Sequence, residues 1–474
     1  MSYNFVQGLG PGSFTALPGR SANLLSGSIQ ILFNNATQTM SGTITDLRFP
    51  FGVYLPRYIA GNSQPLALNS LLQAGGSFRK HNISFKFIKE KKQQFLFCSM
   101  LWLIAVIILL FLYCVLILLY RFWWGRLQPV QVPPSFKPSV HFTVLIPARN
   151  EEQTIAACLQ SIEQLNYPKH LLEVNVIDDF SEDATTAVVQ QFNNVRLIQL
   201  KDVVKEKINS YKKKAIETGI EAATGDYIVT TDADCIVPNN WLLYFAWLIE
   251  KKQAEFIAAP VAMKEASSFI KLFQSLDFLS LQGITAASVG AGFHSMCNGA
   301  NLCYSKKAFT AVDGFKEVDH IASGDDMLLM HKIHKRFPGK IAYCHSAESI
   351  VLTNPVETVG EFFRQRIRWA SKADKYDDKR IFWALLLVYL LNVFLLALLV
   401  AGFFKPPLWI LLMASLLIKT IVELIFLIPV AGFFNKRYLL FWFPFMQPFH
   451  IVYTVVAGWL GKFSNYSWKG REVK

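Results

Sequence analysis

The chain has 474 residues, of which 52% are hydrophobic and 17% charged, with a formal net charge of +13. A soluble domain carries about 25% charged residues, so the composition excludes a wholly soluble protein. With no recognition helix, zinc-finger spacing or aromatic platform beside the excess Lys and Arg, the charge points to basic anchoring at a bilayer surface, with nucleic acid the weaker reading and not expected as a partner.

Residues 1–94 are rich in Gly, Ser, Asn and Gln and show weak periodicity. They are expected to be a poorly ordered tail, or to precede a native start near Met100. Phe95–Tyr120 is free of charge and long enough to cross a bilayer. Arg121 and Arg126 follow it with Trp123 and Trp124, which places the downstream chain on the cytosolic side. A proline-bearing linker, 128–138, leads to an alternating pattern. Strands are predicted at Val140–Ile146 (closed by Pro147), Leu172–Ile177, Val195–Leu200 and Asp226–Thr231. Helices are predicted at Glu151–Leu165, Ala184–Phe192 and Lys212–Ala223. Such alternation implies a mainly parallel α/β sheet, and ligands bind at the carboxyl edge of such sheets. The soluble domain is therefore expected over 138–375.

Beyond Arg380 the chain turns apolar again. Ile381–Phe404 and Leu408–Val430 read as spans separated by Lys405-Pro-Pro407. Lys419 and Glu423 lie four apart on one helical face, so they can pair inside the membrane, either as a snorkelling Lys with a partner of convenience or as the lining of a polar channel. Tyr438–Leu460, with two prolines, Gln447 and His450, is a weaker span. Residues 381–460 are thus expected to form two or three membrane helices, followed by a basic tail, 461–474. The seven cysteines show no CxxC pair and are expected to be free thiols.

Four polar stations stand out. Asp178-Asp179 closes a strand, where an acid can accept from a base or ribose, while Ser181 or Asp183 can cap the next helix. Asp232-Ala-Asp234 closes another strand; two carboxylates one residue apart can converge on Mg²⁺ or Mn²⁺ and still leave sites for diphosphate oxygens. Asp325-Asp326, after Ser323-Gly324, pairs two acids that repel, which suits a general base, although on this feature alone the start of a helix is the stronger reading. Gln365-Arg-Ile-Arg-Trp369 lies in a basic amphipathic stretch, 361–372. It reads either as an interfacial anchor or as an Arg for phosphate beside a Trp for a sugar ring.

Taken in order, Pro147-Ala-Arg-Asn-Glu151, Asp178-Asp179, Asp232-Ala-Asp234, Asp325-Asp326 and Gln365-x-x-Arg368-Trp369 resemble glycosyltransferase family 2. Within it they look like the membrane-embedded, processive β-glycosyltransferases that make cellulose, chitin, hyaluronan and poly-N-acetylglucosamine. The resemblance implies a GT-A nucleotide-sugar-binding fold and inverting transfer from UDP-N-acetylglucosamine or UDP-glucose to a growing polysaccharide. It implies nucleotide-sugar contacts from Arg149, Asp179, Lys212 and Asp232, and a metal held by Asp232 and Asp234. It further implies Asp326 as the base and Gln365, Arg368 and Trp369 as the acceptor end. Phe180 stands where relatives have Gly, and Cys297-Asn-Gly-Ala-Asn301 matches the family's acceptor loop only loosely. A single transfer to a membrane lipid is the alternative, and a non-catalytic nucleotide-binding subunit a second; the retained acids argue against the latter. The short C-terminal membrane region leaves room for a partner subunit or an oligomer.

Overall fold

In the computed structural model the described residues are 28–34, 39–45, 81–85 and 87–473, less 206–207, 209, 265–266, 295, 320, 322–323, 372–377, 464–465 and 469–470; side chains are described from 104 to 462. Ser323 and most of 1–94 therefore lie outside the described residues. The chain divides into two units, 1–107 and 108–474. The first contains an antiparallel sheet of β1 (Ser28–Asn34), β2 (Thr39–Thr45) and β3 (His81–Phe85) in that order. Helix α1 (Phe87–Gly125) follows, and its segment Ile104–Gly125 is long and apolar enough to cross a membrane.

The second unit is built on seven strands. In chain order they are β4 (Phe142–Ala148), β5 (Leu172–Asp178), β6 (Arg196–Gln199), β7 (Tyr227–Thr230), β8 (Phe256–Ala258), β10 (Leu302–Ser305) and β11 (Ile341–Tyr343). Their spatial order is β11-β8-β10-β7-β4-β5-β6. Only β10 runs antiparallel to its neighbours. The mainly parallel α/β expectation is met. Phe142, Val144, Leu145 and Ile146 are all fully buried, because helices cover both faces of a parallel sheet. The chain moves outward from β4 to β5 and β6, then returns to the other side of β4 as β7. That reversal opens a crevice at the carboxyl edge.

Strand β4 runs through Pro147 instead of stopping before it. The Leu145 carbonyl accepts from Thr231 on the β7 side. Pro147, two residues on, faces the same side, where β7 has already ended. Its missing N–H therefore breaks no ladder bond. The predicted third strand stops at Gln199, and Leu200 opens a short helix.

The sequence pattern did not announce β8, β10, β11, the two-stranded parallel pair β9 (Val261–Met263) and β12 (Val351–Thr353), or a 22-residue helix, Phe269–Gly290. Counting helices along the chain, α2 is Ile155–Glu163, α3 Thr185–Val189, α4 Leu200–Val203, α5 Tyr211–Ala222, α6 Trp241–Lys252, α7 Phe269–Gly290, α8 Lys306–Ala311, α9 Asp325–Arg336 and α10 Val359–Ala370. These are followed by α11 (Lys379–Phe404), α12 (Pro407–Phe433) and α13 (Phe443–Phe463). Among the described residues, α11 and α12 join α1 as helices long and apolar enough to cross a membrane. Helix α13 carries Pro448 and packs Phe449 and Tyr453 on Phe362 of α10.

Lys419 and Glu423 do pair. Lys419 Nζ donates to Glu423 Oε1 and to Gln447 Oε1, each at 2.7 Å, and Gln447 and the Tyr113 hydroxyl donate back to Glu423. Each polar group is answered by another. The cluster pins α1, α12 and α13 together. The cysteines with described side chains are all free thiols.

Candidate active site

The carboxyl edge of the sheet collects the acids. Strand β5 ends at Asp178, and Asp179 is buried immediately beyond it. The turn that follows is unusual, because Phe180 has φ 55°, the left-handed region that favours glycine. Arg149, at the end of β4, holds it there. One guanidinium nitrogen donates to the carbonyls of both Asp179 and Phe180 at 2.8 Å. The Phe180 ring stands edge-on to Tyr211. Arg149 therefore shapes the backbone beneath Asp179. Asp183 serves structure: it accepts from Thr185 and from the Glu152 amide, while Ser181 accepts from the Asn150 amide.

Strand β7 delivers Asp232 and Asp234. Their carboxylates and the Cys235 thiol offer ligand atoms within 4.8 Å of one another. Ile236 exchanges backbone bonds with Leu352, which stitches this turn to β12 and sets Thr353 Oγ1 3.1 Å from Asp234 Oδ2. Burial, then Asp232 and Glu151, raise the Asp234 carboxyl above its ordinary pKa. Burial, then Asp234, also push the Cys235 thiol well up. The two carboxylates supply the oxygen ligands that suit a hard divalent cation.

Lys212, in the first turn of α5, joins two stations. Its Nζ lies 2.7 Å from Asp232 Oδ1 and 3.9 Å from Asp325 Oδ2. Burial works against its charge, but Asp232 and then Asp325 more than offset this and hold its pKa above that of ordinary lysine. Asp325 and Asp326 open α9 after Gly324, whose φ of 80° turns the chain into the helix. Neither acid is the N-cap, which is Gly324 with no side-chain cap bond; both sit in the first turn, where they favour the helix dipole. Asp326 Oδ1 accepts from the Met327 amide at 2.8 Å and Oδ2 from the Gly299 amide at 3.1 Å.

The loop Cys297–Asn301 contributes more than its loose motif match suggested. Because β10 is antiparallel, its first residue, Leu302, pairs with Thr230 at the carboxyl end of β7. The loop before it therefore arrives at the site edge. Thr230 Oγ1 donates to the Gly299 carbonyl, and Asn301 is buried with bonds to Pro260, Ser349 and Trp241. A Cβ on Gly299 would stand 3.4 Å from Asp325 Oδ2 and 3.6 Å from Lys212 Nζ. The Asn-Gly pair within an apolar context was the available signal.

Gln365, Arg368 and Trp369 stand together on α10 and are all half-buried. Trp369 packs toward Phe278 of α7. Beside this helix, α1, α7, α11, α12 and α13 line a partly open cavity of about 270 Å³. Its wall is mostly apolar, with Asp277, Glu423, Gln447 and His450 as polar points.

The carboxyl edge of the sheet thus gathers two pairs of acids around Lys212, and comparison with known proteins gives the family. The profile described as "Glycosyl transferase family 2" matches residues 143–309, and "Glycosyl transferase family group 2" matches 227–460. Residues 143–460 therefore belong to glycosyltransferase family 2. The chain is 26% identical over 254 residues to a poly-beta-1,6-N-acetyl-D-glucosamine synthase of Staphylococcus epidermidis, covering 53% of this chain and 59% of that one. It is 28% identical over 237 residues to the synthase of the same name from Staphylococcus aureus, covering 48% and 53%. The chain thus spans little more than half the length of these relatives. In fold it resembles a mannosyltransferase of Pyrobaculum calidifontis solved with GDP-Man and Mn²⁺. The TM-score is 0.50 and the identity 20%, over 75% of this chain and 97% of that one.

Proposed function

We propose that this protein is an inverting membrane glycosyltransferase that moves a sugar from a UDP-sugar to a growing polysaccharide. The observation that carries this reading is Lys212. By touching Asp232 and Asp325 it makes the Asp232/Asp234 pair and the Asp325/Asp326 pair one site at the sheet edge. The named activity of the staphylococcal relatives supports UDP-N-acetylglucosamine over UDP-glucose as the donor.

In this reading Asp179 contacts the uridine, on a turn held by Arg149. Lys212 and Asp232 face the diphosphate. Asp232 and Asp234 would hold Mg²⁺ or Mn²⁺, which when bound neutralises charge on the diphosphate. Asp326 takes the proton from the acceptor hydroxyl as that oxygen bonds to the anomeric carbon. The bond to the diphosphate breaks on the opposite face, and its electron pair leaves with UDP. The bonds from Gly299 and Met327 fix the direction in which the Asp326 carboxylate points. Gln365, Arg368 and Trp369 form the acceptor end beside the membrane helices, with the catalytic domain cytosolic.

The test is UDP release from a panel of labelled UDP-sugars by protein in detergent with native lipid extract, with Mg²⁺, Mn²⁺ or chelator, while product size is followed. Metal-dependent release with a high-mass product is the expected result. Release of UDP from none of the donors would sink the reading. A second reading, single transfer to a membrane lipid, is favoured by the mostly apolar cavity, whose wall suits a hydrocarbon tail better than a hydrated glycan. An organic-extractable product of low mass would select it.

A further inference from the structure

Arg366 occupies a variable-looking place in Gln365-Arg-Ile-Arg-Trp369, yet it is the most buried polar residue of α10, with 4% of its surface exposed. A basic helix that merely lies on a membrane turns its arginines toward water and headgroups. Arg366 instead points inward. Its Nη2 lies 2.5 Å from Asp277 Oδ2 on α7, and Asp277 also accepts from the Tyr453 hydroxyl on α13. Its Nη1 donates to Gln365 Oε1 at 2.9 Å. Its guanidinium carbon sits 4.1 Å from the Trp369 ring centre and 4.8 Å from that of Phe362.

We propose that Arg366 is a positioning residue for the acceptor end of the site, its one guanidinium holding both the Gln365 amide and the Trp369 indole in place. The inference rests on the reading of Gln365 and Trp369 given under Proposed function. Three physical points carry it. Neighbouring side chains on a helix do not face each other, so the Gln365 contact requires the Arg366 side chain to reach back toward Gln365. Arg has five donors and no acceptor, so it can meet only the oxygen of Gln365. The two Nε2 hydrogens are thereby turned outward, and Gln365 is presented as a donor, the complement of a sugar hydroxyl or ring oxygen. Trp369, three residues on, lies over the same charge, which fixes the plane of the indole that a sugar would stack on. Asp277 anchors the group from a different helix, so the geometry does not depend on α10 alone. An anchor by itself could have been apolar, since a buried ion pair adds little stability over well-packed hydrocarbon.

The discriminating variant is Arg366→Lys in the full chain. Lysine can still meet Asp277 as a point charge, but it lacks the planar fork that serves Gln365 and Trp369 together. A purely structural anchor is rescued by lysine; a positioning residue is not. We would measure metal-dependent donor hydrolysis without acceptor, then transfer to an added oligosaccharide, with Arg364→Lys, exposed on the same helix, as control. The expected result is an acceptor KM raised about tenfold or more with donor hydrolysis within about twofold of native. A native acceptor KM in Arg366→Lys would overturn the proposal, as would hydrolysis and transfer falling together. Absence of UDP release from the unmodified protein is a different result, and would remove the underlying functional reading along with this one. Should Arg366→Lys not stay monodisperse, Gln365→Glu supplies the second arm. It removes the outward donors while leaving an acceptor for Arg366, and the same rise in acceptor KM is expected. A native KM there overturns the proposal equally.

Discussion

At the scale of single residues, Phe180 shows how a departure from a family pattern is accommodated. Its left-handed backbone costs about 1 kcal/mol relative to glycine, and Arg149 and the Tyr211 contact offset that cost. Phe180→Gly removes the strain and the ring together, whereas Phe180→Ala keeps the strain and loses the ring. Alanine should therefore be the less stable of the two by about 1 kcal/mol, the reverse of the order in a helix. Thermal unfolding in detergent would read this directly, and equal midpoints would argue against strain at the turn. The acids carry their own expectations. Asp326→Asn should abolish transfer while UDP still binds, since its bonds run to Gly299 and Met327 and the proposed nucleotide contacts are Asp179 and Asp232. Asp234→Asn should weaken metal-dependent UDP binding and leave metal-free binding little changed. Titration calorimetry with and without chelator separates the two, and near-native turnover by Asp326→Asn would remove it as the base.

At the scale of elements, helix contacts tie the catalytic sheet to the membrane region. Helix α7 leaves the sheet and runs beside α12, where Gly283 permits the approach: a Cβ there would come within 2.8 Å of Val430 and 2.9 Å of Phe426. The Lys419, Glu423, Gln447 and Tyr113 cluster then sets the register of α12 against α1 and α13. Removing one partner of a buried pair costs about 3–5 kcal/mol, because the other charge is left behind. Lys419→Met should therefore lower the unfolding midpoint markedly, and adding Glu423→Gln should recover part of the loss. If the double variant were no more stable than the single one, pairing would not be what holds this contact. These positions were legible as a pair four residues apart on one face. Their third and fourth partners were not, because Gln447 and Tyr113 come from other helices.

At the scale of the whole second unit, a histidine cluster joins the loop before β10 to α9 and α11. The His294 and His334 rings meet edge-on with centres 4.2 Å apart, and His331 bonds the His294 carbonyl. Burial, then His334, His331 and Arg380, press the His294 pKa down from 6.5 to about 4. The unfolded chain therefore binds this proton first as pH falls, so His294 costs no stability above pH 6.5 and a growing amount from there toward pH 4. His294→Gln should flatten that part of the stability curve, measured as unfolding midpoints across the range. An unchanged curve would show that His294 is not responsible for the decline.

The sequence by itself determined the alternation of strands and helices, the acids at strand ends, and the long apolar runs. These follow from periodicity, strand termination and hydropathy, which are properties of neighbours in the chain. Tertiary structure alone decided the rest. The antiparallel insertion of β10 rests on four residues, too few to carry a period, and it is what brings Gly299 to Asp326. The span of Lys212 between Asp232 and Asp325 joins residues far apart in the chain. Arg366 carries no letter of Gln365-x-x-Arg368-Trp369, and its partner Asp277 comes from a different helix, α7. Each of these depends on long-range packing, which determines the neighbours a side chain meets and leaves no local mark in the sequence.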